Sequence, residues 1–306
     1  MGAGHSHGPT TSSGGGHRSK LLIVLALTGL VLVAEVIGAW MTGSLALLAD
    51  AGHMLTDIAG ISLAVLAVTF AAKPSTRART FGYYRLEILA AVVNAVLLFG
   101  VALFILFEAW QRWANPPEVE GEVMLAFASV GLIANIIGLL VLRAGSKESL
   151  NVKGAYFEVL GDLLGSVAVI AAALVIATTG WLLADPLASV AVALMILPRT
   201  WGLLREAVDV LLEASPRGMD LDEVRAHILA TPGVVDAHDL HVWTITSGMP
   251  VLSVHVVVDE PTLAAGGPGP VLDHLGQCLD DHFDVEHCTF QLEPAGHADH
   301  EHAIHR

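Results

Sequence analysis

Six stretches of this chain are too long and too apolar for an ordinary soluble fold: about residues 21–41, 45–71, 86–112, 120–143, 154–178 and 182–211. A bilayer core of about 30 Å requires roughly 20 mostly apolar residues per helix, so the pattern predicts six transmembrane helices. The sixth turns amphipathic near its end, where Arg199, Arg205 and Glu206 enter, and Pro198 is placed to bend it. Beyond residue 214 the periods shorten. Residues 221–230 predict a helix with Asp220 as its cap. Residues 240–246 and 251–258 alternate as strands around a Ser247-Gly248 turn. A second helix over 271–282, a flexible Gly266-Gly267-Pro268 loop before it and a third strand over 288–292 complete an αββαβ order. The expected architecture is a membrane all-α domain over 20–213 followed by a small α+β domain over 214–294. Disordered His-containing tails are expected over 1–19 and 295–306.

Charge gives this arrangement an orientation. Arg18 and Lys20 precede the first span; Lys73, Arg77 and Arg79 join spans two and three; Arg143, Lys147 and Lys153 join spans four and five. The three opposite loops hold no Lys or Arg, so the positive-inside rule places both termini in the cytoplasm. Arg112, near the outer end of span three, is an exception. The first nineteen residues lack the apolar core of a cleavable signal. The net charge of −15 excludes nucleic acid as a partner, since phosphate binding needs clustered Lys and Arg. Much of the acidity lies between 215 and 293, where thirteen Asp and Glu face Arg217 and Arg225; such a field attracts cations. Two cysteines, Cys278 and Cys288, suit a reducing compartment and offer no disulfide framework.

Ionisable residues inside spans are costly to bury and mark functional sites. His53 and Asp57 stand four apart in span two, and Glu158 and Asp162 four apart in span five. Residues at i and i+4 share a helix face, so two such helices can present four ligands to one point. Four is the ligand number of a tetrahedral zinc site, and His with carboxylates is an acceptable zinc donor set. With His53 neutral, the three carboxylates carry three negative charges, which a dication or protons must offset. Metal binding needs deprotonated ligands and releases protons, which leads to the expectation of proton–metal antiport by alternating access. Glu35, Asn94 and Asn135 are expected to line the route or hydrogen-bond neighbours. Asp185 is expected to cap the last helix or lie at the outer mouth. Gly29, Gly38, Gly60, Gly161 and Gly165 are expected to permit close helix approach.

At these residues the chain resembles the cation diffusion facilitator family, in its bacterial zinc-efflux branch. The likeness is carried by residues 44–57 (Ser-Leu-Ala-Leu-Leu-Ala-Asp-Ala-Gly-His-Met-Leu-Thr-Asp), by Arg79 through Glu87, by Asn151 through Ser166, and by Leu240-His241-Val242-Trp243. It covers about 20–293. The resemblance implies a six-span fold, a zinc/proton antiporter of the bacterial inner membrane rather than an enzyme, and a homodimer. It also implies a ferredoxin-like cytoplasmic domain that binds further metal and helps the dimer close. In that domain His238, His241, His255 and Glu293 match positions where relatives hold regulatory metal. His241 and His255 are expected on facing strands, with Glu293 ending the third. His274, His282 and His287 are lesser candidates, and the tail histidines His5, His7, His17, His297, His300, His302 and His305 can collect metal loosely. One departure stands out: zinc members usually have His where this chain has Glu158. Carboxylate is harder than imidazole, so the set shifts toward manganese or iron(II). A non-transporting metal sensor and a passive channel are the rival classes. The His-Glu-x-x-His pattern of an intramembrane zinc protease is missing.

Overall fold

The computed structural model describes residues 14–71, 73–143, 150–283, 285 and 287–297. Six long helices come first: α1 (Gly14–Thr42), α2 (Leu45–Ala71), α3 (Arg85–Ala114), α4 (Gly121–Arg143), α5 (Leu150–Thr179) and α6 (Ala184–Leu211). Each is long and apolar enough to cross a membrane. The tail expected over 1–19 is helical from Gly14 on. The rest of that tail, the residues from 298 on and loop residues 144–149 lie outside the described residues.

The chain divides into two compact units. One comprises the chain through Ser62 together with Asn94–Gly202; the other comprises Leu63–Val93 and the chain from Leu203 on. In the first, α4 packs against α1 and α5 around Ala39, Leu47, Met124, Ala128, Val169 and Ala173. Small residues make this packing close. A Cβ on Gly38 would lie 2.6 Å from the Phe127 ring, and one on Gly60 would lie 2.5 Å from the Asn94 amide. Gly29 and Gly161, by contrast, have nothing within 4 Å of such a Cβ, so they serve no close approach here. Large apolar side chains point outward, which water would penalise and lipid does not. Trp40, Trp110, Trp113 and Trp181 are exposed near the ends of α1 and α3 and in the α5–α6 turn, as an interfacial aromatic belt would be.

At that same end Asp185 is fully buried. Its carboxylate accepts from the Leu45 and Ala46 N–H groups at 2.8 and 3.1 Å. It therefore caps α2, not the helix it opens, and satisfies donors that the helix start leaves free. The Arg112 guanidinium lies 3.7 Å from this carboxylate and donates to the Gly43 carbonyl at 2.6 Å. Its place on the side without other Lys or Arg follows from that internal partner.

The second unit holds α7 (Leu221–Leu229), β1 (Val234–Thr244), β2 (Pro250–Val258), α8 (Glu260–Gly266), α9 (Gly269–Phe283) and β3 (His287–Pro294). Asp220 caps α7 through the Asp222 N–H. β1 and β2 pair antiparallel and β2 and β3 parallel, in the order β1-β2-β3. Val224, Ile228, Val242, Leu252, Val254, Val256, Leu275 and Leu279 form the core between sheet and helices. The short α8 occupies residues just before and into the expected loop; Asp259 caps it, and the Thr262 side chain, then the Thr262 N–H, hold that carboxyl below its ordinary pKa. The segment joining α2 to α3 belongs to this unit. Phe81 meets the His287 ring edge-on at 5.5 Å, Arg85 pairs with Glu213 at 2.7 Å, and the Thr246 hydroxyl donates to Glu87.

Candidate metal centres

Two groups of ligand side chains converge among the described residues. The first is in the helical unit. One helical turn separates His53 from Asp57 on α2, and Nε2 of His53 lies 3.4 Å from an Asp57 carboxyl oxygen. Asp162 on α5 brings an oxygen to 3.7 Å from the same nitrogen. The donor atoms of all three lie within 4.8 Å of one another. All three side chains are buried or nearly so, with Asp162 at 5% exposed.

Glu158 does not complete this set. It touches the Asp57 carboxyl, but one of its oxygens pairs with the Arg199 guanidinium of α6 at 2.8 Å. Four converging ligands were expected; three converge, and the fourth is held at the rim by a cation. Arg199 was missed as a partner. The signal for it was present: an Arg inside an otherwise apolar helix, beside Pro198, needs an anion. The charge account changes accordingly. Glu158 and Arg199 cancel, which leaves two carboxylates and one imidazole. Two negative charges are what one dication neutralises.

The second group lies on the sheet. His238 of β1 stands directly across from His255 of β2, and Glu293 of β3 closes the set. The Glu293 carboxylate, 2% exposed, lies 3.3 Å from His238 Nε2 and 2.8 Å from His255 Nδ1. A bulge after His238 shifts the register so that His241 pairs with Ser253 instead of facing His255. Asp239 sits in the bulge with φ +51°. His241 lies 3.0 Å from Asp239 and outside the three-ligand group. His282 and His287 are placed elsewhere: His282 stacks near His227 at 4.9 Å, and His287 meets Phe81. Cys288, half-buried, has its thiol pushed up to about 11 by burial and then by Asp280. Burial, then Asp281, also raises Cys278. Neither thiol joins a metal group among the described residues.

Comparison with known proteins places these features in a family. The family model described as the cation efflux transmembrane domain matches residues 21–212, and that of the cation efflux protein cytoplasmic domain matches 216–295. The "Cation efflux system protein CzcD" of Alcaligenes sp. is 52% identical over 96% of this chain and 91% of its own length. The "Zinc transporter ZitB" of Escherichia coli is 43% identical over 94% of this chain and 92% of its own. The "Cadmium, cobalt and zinc/H(+)-K(+) antiporter" of Bacillus subtilis is 39% identical over 98% of this chain and 95% of its own.

Proposed function

This chain belongs to the cation efflux family, and on that premise we propose that it is a zinc/proton antiporter that exports Zn2+ from the cytoplasm by alternating access. It is an integral membrane transporter and not an enzyme. In this reading residues 20–213 form the transport domain in a bacterial inner membrane, with lipid around the exposed apolar helix faces. Both termini are cytoplasmic. Residues 214–294 form a ferredoxin-like cytoplasmic domain through which two copies associate.

The observation that carries the reading is the match of charge at the helical site. His53, Asp57 and Asp162 offer one neutral imidazole and two carboxylates to one point, and Arg199 removes the charge of Glu158. An ion bound there leaves the site neutral. Without an ion the two carboxylates repel, and protons are the natural replacement. Entry of the metal expels protons, and protons arriving from the far side expel the metal. A three-ligand set leaves one coordination position open, which suits a cargo that must leave again. The named activities of the Escherichia and Bacillus relatives favour zinc as cargo. The surplus of oxygen over nitrogen donors keeps manganese and iron(II) as the competing cargo. His238, His255 and Glu293 would hold a second, resident ion in the cytoplasmic domain.

The test is metal uptake by proteoliposomes offered zinc, manganese, iron(II), cobalt or cadmium outside, with the lumen held acidic or neutral. The expected result is uptake that rises with the acid lumen and is fastest for zinc. Uptake indifferent to the lumen pH, or none at all, would overturn the proposal.

A further inference from the structure

The segment joining α2 to α3 concentrates positive charge in an otherwise acidic chain. Lys73, Arg77, Arg79 and Arg85 fall within residues 72–86, a stretch with no Asp or Glu, while the chain as a whole carries a net charge of −15. The segment is folded into a tight turn. Thr76 and Arg79 exchange backbone hydrogen bonds at 3.1 and 3.0 Å, and the Gly82 N–H donates back to the Arg79 carbonyl at 2.9 Å. Gly82 takes φ +62°, which suits a residue without a Cβ. The Arg79 guanidinium is held over the Tyr83 ring, 4.7 Å from its centroid, and donates to the Tyr83 hydroxyl at 2.6 Å.

This turn lines a cavity of about 510 Å³. Arg79 and Arg85 supply its cations, and Glu213 pairs with Arg85 at 2.7 Å. Two guanidiniums and one carboxylate leave the lining with one positive charge. Much of the rest is apolar, with Phe81, Leu86 and Leu89 among the lining residues. Leu86 and Leu89 stand in the first turns of the membrane helix α3. Leu89 is 46% and Phe81 40% exposed, so the cavity reaches the surface that lipid covers. A space of this size is too small for a whole phospholipid and ample for its headgroup. An excess of Lys and Arg beside membrane spans is general and needs no cavity. Here the excess comes with a concave site in which charge adjoins apolar surface, and that combination matches the junction of a headgroup with its chains.

We propose that this cavity binds the headgroup of an anionic phospholipid, with the phosphate diester against Arg79 and Arg85 and an acyl chain leaving along Leu86 and Leu89. A guanidinium presents paired N–H donors that fit two phosphate oxygens. One phosphate diester neutralises the one charge that Glu213 leaves over. A zwitterionic headgroup brings an ammonium together with its phosphate and so leaves that charge uncompensated. Free phosphate offers the same oxygens but nothing for Leu86 and Leu89 to cover. Basic pockets at the ends of membrane helices hold anionic headgroups by this chemistry. The inference rests on α3 crossing the membrane and is independent of the cargo reading.

In the experiment, full-length protein stripped of lipid in detergent is offered phosphatidylglycerol, phosphatidylethanolamine or phosphatidylcholine, and native mass spectrometry counts the lipid retained. The expected result is one phosphatidylglycerol held per chain, roughly tenfold more tightly than either zwitterionic lipid. Arg79→Gln is expected to lose that preference. Ala78→Glu, which sets a carboxylate on an exposed residue lining the cavity, is expected to lose it too and guards against misfolding of the first variant. Lys153→Gln, at an exposed position on α5, is expected to keep it. Phosphatidylglycerol and phosphatidylcholine held alike by the wild type would overturn the inference, as would a loss in Lys153→Gln equal to that in Arg79→Gln, which diffuse surface charge produces. Displacement of phosphatidylglycerol by millimolar inorganic phosphate would overturn it as well, since the site would then take the free anion. Zinc flux plays no part in this readout, so failure of the cargo reading is a separate result.

Discussion

The two ligand clusters of this molecule use similar residues to opposite ends. On the helices, two carboxylates and one imidazole meet in an apolar setting; on the sheet, two imidazoles and one carboxylate meet across its three strands. A dication neutralises the first. In the second it leaves one positive charge, which the surrounding acidic domain can balance. In the proposed reading the neutral three-ligand site among the helices can exchange its ion for protons, whereas the sheet cluster would keep a resident ion. On that reading the two clusters differ in the charge left over after binding, not in their number of donors.

The largest expected effect follows from removing a cargo ligand. Asp162→Ala and Asp57→Ala should lower zinc flux in proteoliposomes at least a hundredfold, because each leaves the ion with uncompensated charge. His238→Ala with His255→Ala should leave flux within a few-fold. Equal losses from both changes would erase the contrast between the clusters.

Next comes Arg199. Arg199→Ala uncovers the Glu158 charge beside the site, so zinc should bind roughly tenfold tighter and turn over roughly tenfold more slowly. Glu158→Gln added to it should restore both values, and the double-mutant cycle checks whether the pair acts as a unit. Glu158→His should favour zinc over manganese by a further several-fold, measured by competition for uptake.

Smaller effects belong to the cytoplasmic cluster. Zinc should raise the Tm of the full protein, and Glu293→Gln should cut that rise by a few degrees, since a ligand bound to the folded state stabilises it by mass action. A separate prediction, outside both clusters, concerns Cys288. Its thiol, raised to about 11 by burial and Asp280, stays protonated at pH 7. Maleimide labelling should be on the order of a hundredfold slower than at an ordinary exposed cysteine and should accelerate as pH rises toward 11.

The sequence made the helical site partly legible because helical spacing is a local property. His53 with Asp57, and Asp162 one turn beyond Glu158, follow from the i, i+4 rule alone. What spacing could not tell was that α6 would bring Arg199 to Glu158, since that contact joins distant parts of the chain. The sheet site was less legible. The second strand was evident from alternation, but β1 begins at Val234, well ahead of the expected 240–246, and the bulge at Asp239, where a non-glycine residue takes a positive φ, moves His241 away from His255. A register shift of that kind has no signature in residue type. The cap that Asp185 provides to α2 was hidden because it joins residues far apart in the chain.

The central claim is that one dication binds among His53, Asp57 and Asp162. Zinc X-ray absorption on protein carrying His238→Ala, His255→Ala and Glu293→Gln, loaded with one equivalent of zinc, tests it most directly. The account predicts a zinc shell with one imidazole and the rest oxygen at about 2.0 Å, lost on Asp162→Asn. A shell with two or more imidazoles, or one unchanged by Asp162→Asn, would contradict it.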